Sequence, residues 1–397
     1  MQRHITARIN DLLASKDNKV ILLVGQRQVG KTFEIKRVQG ANFNSIYFDF
    51  EEIGARNIFK PDLATLENIL GSPEKQSANK QKLLLLDEIQ HLQKSGSILK
   101  LIHDHFQNIK VIATGSASFL MLKNIGDSLY GRNIQLDMFP LTFREINQDL
   151  NADFNLGKYN KLVNKGKIEA SINDFLLYGS MPGVFLTEGR EAKIELLKNY
   201  INSFLYKDIF ELEGIRMPEV FKRLLHMIAL QIGSEVNPNE LALKLEINRK
   251  TVVEYLGLCE KFKIIHILKA FSGNPRKEVT RNFKIYFTDL GIRNALIDNF
   301  VLPENRTDIG AMFENLVVNT LSWDMQYFGN PYKLFFWRSK NMAEVDLVLL
   351  NNLTGKLVPM EIKYGHAEKP SIAFIKLYED KIESQHSVNK ENFWKYT

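Results

Sequence analysis

The feature that most constrains the fold is Gly25-Gln26-Arg27-Gln28-Val29-Gly30-Lys31-Thr32, which follows the apolar run Val20–Val24 and opens a helical pattern at about Lys31. Two glycines at this spacing let a loop turn its backbone N–H groups inward, and the next helix adds the positive end of its dipole. The chain around it repeats one texture: Ser45–Phe50, Lys82–Leu86 and Lys110–Thr114 are further strand-like runs separated by helix-length segments. Parallel strands need such crossovers, so the pattern predicts a doubly wound α/β sheet over residues 1–150.

Chemistry follows from position in that sheet. Lys31 is placed to reach β- and γ-phosphates, and the Thr32 hydroxyl to bind Mg²⁺. Leu83–Leu86 deliver Asp87 and Glu88 to the carboxyl end of a buried strand, where open parallel sheets bind ligands. Asp87 suits the metal shell and Glu88 suits a base that polarises an attacking water. Thr114 and Ser116, at the end of the Lys110–Thr114 strand, either contact that water or the γ-phosphate, or they belong to a plain turn with Ser as helix cap. The loop reads phosphates and not bases, so ATP and GTP are not distinguished by it.

Composition excludes other classes. The chain has 397 residues, 45% hydrophobic and 25% charged, with a net charge of +6. These are ordinary values for a globular protein of several domains. Cys259 is the only cysteine, which excludes an intrachain disulfide and zinc-finger sets and suits a reducing compartment. No apolar run approaches the roughly 18 residues of a membrane span. The N-terminus shows no signal core, so a cytoplasmic location is expected. The eight histidines form no ligand set: His103 and His105 sit two apart on a presumed helix and do not share a face.

The texture changes past Pro140. Helical patterns run from about Lys165 to Met217, broken at Tyr178–Val184 by Gly179, Pro182 and Gly183. Residues 220–290 hold twelve Lys/Arg against seven Asp/Glu. Within them Asn239–Leu245 and Asn248–Phe262 read as helix, turn, helix, and Ile264–Leu268 as a strand. The second helix presents Asn248, Arg249 and Lys250 at its N-terminal end, the end a recognition helix offers to the major groove. Lys269–Lys284 would supply wing strands, with Arg276, Lys277 and Arg281 near phosphates. The same segment also reads as a protein-interaction module with a solvated charged face.

A helix at about Ala311–Trp323 precedes strands near Lys333–Trp337, Glu344–Leu350 and Val358–Ile362. Period-2 alternation puts Glu344 and Asp346 on one strand face, and Glu361 and Lys363 on one face of the next. Two carboxylates and a lysine across adjacent strands are a candidate for binding Mg²⁺ and orienting water against a phosphodiester. The alternative is a charged strand end with a Lys363–Asp346 salt bridge. Trp323, Trp337 and Trp394 are expected in the core of this last segment.

The order Gly25–Thr32, Leu86–Gln90, Thr114–Ser118, Gly131-Arg132, Pro140–Glu145, Tyr178–Gly183 and Tyr286–Gly291 resembles bacterial and archaeal AAA+-type ATPases whose C-terminal half was long a domain of unknown function. The resemblance implies a P-loop NTPase domain (1–150), a helical connector (151–216), a winged helix-turn-helix (217–284) and a restriction-endonuclease-like α/β domain (285–397). Together with the phosphate loop and the basic segment 220–290, it points to Mg-ATP hydrolysis coupled to a DNA-associated C-terminal region, with double-stranded DNA as a candidate partner. A nucleotide-dependent switch that binds a protein partner, or an ATP-gated nuclease, are the alternatives. Arg132 falls where the family supplies an arginine to a neighbouring subunit, which implies a homo-oligomer; otherwise it pairs with a carboxylate such as Asp137 or Glu145. Gln90 either senses the γ-phosphate beside Glu88 or caps a helix. Asp346, Glu361 and Lys363 look like the D…ExK core of PD-(D/E)xK nucleases, with Glu314 at their first acidic position.

Overall fold

The computed structural model describes residues 2–39, 44–72, 82–116, 129–147, 158–206, 209–210, 215–272 and 283–396. Ala117, Ser118, Arg276, Lys277 and Arg281 lie outside them. The chain divides into two compact units, Gln2–Phe139 with Lys261–Lys263, and Pro140–Glu260 with Ile264–Thr397.

The first unit is built on five parallel strands: β1 (Val20–Gly25), β2 (Asn44–Asp49), β3 (Lys82–Asp87), β4 (Ile109–Ser116) and β5 (Asn133–Met138), in the spatial order β2-β3-β4-β1-β5. β1 and β4 are buried along their whole length and β3 over five of its six residues, which is why their sequences read as unbroken apolar runs and not as alternation. The helix His4–Ala14 packs Ile5, Ile9 and Leu13 inward, and the Lys110 ammonium closes its end by donating to the Ser15 and Asp17 carbonyls. The helix Lys31–Val38 follows β1 through the Gly-containing loop, and Ser95–His105 buries Ile98, Leu99 and Ile102.

The second unit carries two further sheets. Helix Pro218–Leu230 is followed by β6 (Glu235–Val236), helices Pro238–Leu245 and Arg249–Lys261, β7 (Ile265–Lys269) and β8 (Phe283–Phe287); the three strands form an antiparallel sheet ordered β6-β8-β7. After the long helix Ile309–Phe328 come β9 (Tyr332–Arg338), β10 (Glu344–Asn351), β11 (Leu357–Ile362) and β12 (His386–Val388) in the order β12-β11-β10-β9. The β9-β10-β11 pairings are antiparallel and β11-β12 is parallel. Trp337 packs with Val345, Val348, Leu357 and Phe374 in this core; Trp323 is buried and Trp394 half-buried.

The break expected at Tyr178–Val184 is a joint. The helix Lys158–Tyr178 ends there, and Asp289, which caps the helix Leu290–Leu296 through the Ile292 N–H, also accepts from the Ser180 N–H at 2.7 Å. Among the described residues no helix is long and apolar enough to cross a membrane.

Candidate functional site

The strand register assembles the site at the carboxyl ends of β1, β3 and β4. Gly25 lies opposite Ser116, and Leu86 opposite Ala113, so Asp87 comes out beside Thr114. Gly25 cannot carry a side chain, because a Cβ would sit 2.3 Å from the Met138 carbonyl oxygen of β5. Beyond it the loop needs left-handed backbone twice, at Gln28 (φ 63°) and Gly30 (φ 93°). Val29 is buried, and its carbonyl accepts from Arg3, whose guanidinium also donates to the Phe139 carbonyl at 2.6 Å. The loop is therefore clamped from the N-terminal segment.

Lys31 is 4% exposed, and its ammonium donates to the Gly25 and Gln26 carbonyls at 3.1 and 2.8 Å. Burial pulls it below the usual lysine value, while the Glu88 and Asp87 carboxylates act in the opposite sense. Thr32 is the second residue of the helix Lys31–Val38. Glu34, two residues on, is buried and takes a hydrogen bond from Thr6, to which Arg37 donates in turn.

Both oxygens of Asp87 are occupied. Oδ1 accepts from the Thr114 hydroxyl, and Oδ2 accepts from the Tyr47 phenol of β2 at 2.9 Å. Burial, then Asp87, raises the Tyr47 phenol well above its usual value, so it stays protonated as a donor. The same Thr114 oxygen accepts from the Glu88 N–H at 3.1 Å. Thr114 thus orients the two acidic residues, and its hydroxyl is engaged with them rather than with an open space. Glu88 has left-handed backbone (φ 50°), and its carboxylate takes the Gln90 amide. Ser116 is buried opposite Gly25.

Arg132 immediately precedes β5, and its carbonyl accepts from the Val20 N–H at the amino end of β1. That is the sheet edge opposite the loop. Its guanidinium pairs with Asp104 at 2.8 Å rather than with Asp137 or Glu145. Glu145 is committed to a capping box with Thr142.

In the second unit Glu314, Asp346, Glu361 and Lys363 do gather. Lys363 donates to Asp346 at 3.1 Å and to Glu361 at 2.5 Å, and the Ile362 N–H also reaches Asp346. Burial, then Asp346, pushes the Glu361 carboxyl up to about 7 against the pull of Lys363. Burial raises Glu314 also; Lys284 opposes this and Asp346 adds to it. The sequence did not single out Lys284, which is buried on β8 and bridges Glu314 (2.8 Å) and Glu344 (2.6 Å), nor Tyr286, which donates to Glu314 at 2.5 Å. Among the described residues no three His, Cys, Asp or Glu side chains form a ready metal set.

Between the helices Pro238–Leu245 and Arg249–Lys261, the Asn248 carboxamide is used as the cap of the second, accepting from the Thr251 N–H at 2.8 Å. Arg249 and Lys250 are exposed, with Lys250 loosely paired to Glu254 at 3.9 Å.

A five-stranded parallel sheet in this order, with a phosphate loop after its first strand and an Asp-Glu pair after its third, defines the P-loop NTPase α/β fold. Residues 17–147 match the family described as AAA domain, so this part of the chain is similar to AAA-type domains. Residues 169–302 and 309–393 match two domains of unknown function, DUF8612 and DUF4143. Over 392 residues the chain is 28% identical to an uncharacterized protein of Methanocaldococcus jannaschii, covering 96% of this chain and 84% of that protein. It is 27% identical over 359 residues to an uncharacterized protein of Mycobacterium tuberculosis, covering 89% and 72%. Among solved structures, the Walker-type ATPase of Pyrococcus abyssi aligns with a TM-score of 0.47 at 18% identity, over 73% of this chain and 94% of that one.

Proposed function

We propose that the protein hydrolyses Mg-ATP at Gly25–Thr32 and uses the turnover to change the state of its C-terminal, DNA-associated region. The observation that carries this is the convergence of the buried Lys31 ammonium with Asp87 and Glu88. The residues also fit the metal and nucleotide. Thr32 and Asp87 are hard oxygen donors of the kind Mg²⁺ prefers. Gln26, 2% exposed, has a buried carboxamide with no hydrogen-bond partner, as a cradle for a polar ligand would leave.

Mg²⁺ bound there would neutralise phosphate charge. Gly25–Thr32 would hold the phosphates through backbone N–H groups, and Lys31 would leave its loop carbonyls for the β- and γ-oxygens. Glu88 would orient and deprotonate the attacking water once its carboxylate parts from Gln90. Arg132, remote from the loop of its own subunit, would act on a neighbour's nucleotide, which makes the working form a cytoplasmic homo-oligomer.

The division proposed for the chain is 1–150 ATPase, 151–216 connector, 217–284 winged helix-turn-helix and 285–397 nuclease-like domain. The helix-strand-helix-helix-strand-strand order, with its three strands in one β6-β8-β7 sheet, supports the winged helix, with Arg249 and Lys250 as its exposed cations toward DNA. A second reading, metal-dependent DNA cleavage, draws on the clustering of Glu314, Asp346, Glu361 and Lys363. The lysine bridges in that cluster favour a nucleotide-controlled switch over a nuclease that is permanently active.

The test is steady-state Mg-ATP hydrolysis with and without double-stranded DNA, for the wild type and Glu88→Gln. Turnover stimulated by DNA and lost in the variant supports the proposal. Turnover indifferent to DNA moves the partner to a protein, and no turnover overturns the ATPase assignment. Plasmid nicking with Mg²⁺ or Mn²⁺, compared with Asp346→Ala, decides the second reading.

A further inference from the structure

The nucleotide site has a side chain on β2 that no motif marks. Tyr47 donates its phenol O–H to Asp87 Oδ2 at 2.9 Å, and the face of its ring lies under the Lys36 ammonium, 4.7 Å from the ring centroid. Lys36 belongs to the helix Lys31–Val38 and stands four residues after Thr32, so the two side chains share one helix face. Thr32 and Asp87, the two oxygen donors suited to Mg²⁺, are thus joined by a short path: Thr32 face, Lys36, Tyr47 ring, phenol, Asp87.

The chemistry of each link differs. The phenol hydrogen bond to a carboxylate is charge-assisted and directional, and it fixes which lone pairs of Asp87 remain available. With the Thr114 hydroxyl on the other oxygen, the carboxylate cannot rotate without breaking one of two bonds. The Lys36 contact is a cation–π attraction that holds the ring in place and ties it to the phosphate-loop helix. A lone Asp87 on a strand end would have neither constraint.

We propose that Tyr47 is the positioning residue of the metal side of this site: it presents the Asp87 carboxylate in one orientation and couples it, through Lys36, to the helix that carries Thr32. This rests on the ATPase reading, and its test separates the two. A fluorescent ATP analogue is titrated into the full chain in EDTA and across a Mg²⁺ series, for the wild type, Tyr47→Phe and Lys36→Gln.

Tyr47→Phe keeps the ring and removes only the O–H. Its affinity in EDTA is expected within about twofold of wild type, while the Mg²⁺ concentration that gives half the gain in affinity rises about tenfold, the usual scale for losing an outer partner of a metal ligand. Lys36→Gln, at an exposed position, is expected to shift the Mg²⁺ midpoint about two- to threefold. A Tyr47→Phe titration that superimposes on wild type overturns the proposal, as does an equal loss in EDTA and in Mg²⁺. A wild type that binds no nucleotide at all overturns the ATPase reading itself.

Discussion

Asp289 holds the Ser180 N–H at 2.7 Å across 109 residues of sequence while its other oxygen caps the helix Leu290–Leu296. One carboxylate thereby fixes the turn after Lys158–Tyr178 and the start of a helix on which Asn294 donates to the Leu176 and Leu177 carbonyls. Truncation as Asp289→Ala removes a cap and strands buried N–H donors, so unfolding by urea is expected to cost about 3 kcal/mol.

The pH dependence of that joint has a definite sign. Burial outweighs the N–H donors of Ser180, Ile292, Gly291 and Met181 and pushes the Asp289 carboxyl up to about 6. A raised carboxyl stabilises the fold most when protonated, so its contribution falls as pH rises from about 4 to about 6 and is flat above. Asp289→Asn presents an amide donor to the Ser180 N–H and no longer titrates. The stability gap between wild type and Asp289→Asn should therefore narrow by about 2 kcal/mol over that interval. A gap that widens with pH would contradict the assignment.

Gly291 gives a purely steric test of the same joint. Its φ is not left-handed, yet a Cβ there would lie 2.0 Å from the Tyr178 carbonyl oxygen, whereas at Gly183 it would meet nothing within 4 Å. Gly291→Ala is expected to lower stability by at least about 2 kcal/mol, and Gly183→Ala by less than about 1 kcal/mol. Thermal melts of the pair decide it.

What the sequence made legible follows from how local each signal is. The phosphate loop and Asp87-Glu88 are contiguous motifs flanked by buried strands, so the strands and the meeting of these residues at their carboxyl ends could be read directly. β5 could not: Asn133–Met138 forms the sheet edge, half-exposed along most of its length, and its alternating polar and apolar residues do not look like the buried strands beside it. The same limit hid Tyr47, whose reach to Asp87 depends on β2 lying next to β3. It hid Lys284 too, which meets Glu314 and Glu344 only because β8, the helix Ile309–Phe328 and β10 come together. The same limit hid which carboxylate Arg132 meets: Asp104 lies in the last turn of a helix 28 residues earlier, while Asp137 and Glu145 are the acids nearby in sequence.

Lys284 should be among the most sensitive side chains of the C-terminal unit. It is 2% exposed, and Glu314 and Glu344 both depend on its charge. Burial works against its ammonium, but the two carboxylates hold it well above the usual lysine value. Lys284→Met keeps the volume, leaves the buried Glu314 without its cation and leaves Glu344 only a long contact with Arg338 at 3.9 Å, which is expected to cost about 3–5 kcal/mol at pH 7. The loss should shrink at pH 5, because burial raises the Glu314 carboxyl and its protonation removes the stranded charge. Equal losses at both pH values would show that packing, and not charge, sets the effect.

Arg132 separates a catalytic role from a structural one by complementation. Its pair with Asp104 is partly exposed, so Asp104→Asn should change stability by less than about 1 kcal/mol. Because Arg132 leaves the sheet at the edge opposite Lys31, an arginine acting on phosphate must serve another subunit. Arg132→Ala is then expected to keep nucleotide affinity and lose turnover by about 10³-fold. Lys31→Ala should bind no nucleotide while retaining its own Arg132. Mixed in equal amounts, the two inactive proteins form shared sites in which an intact loop faces an intact arginine, so part of the activity returns. Turnover that stays at the level of the separate variants, in a mixture shown by sedimentation to contain mixed assemblies, would return Arg132 to a purely structural partner of Asp104.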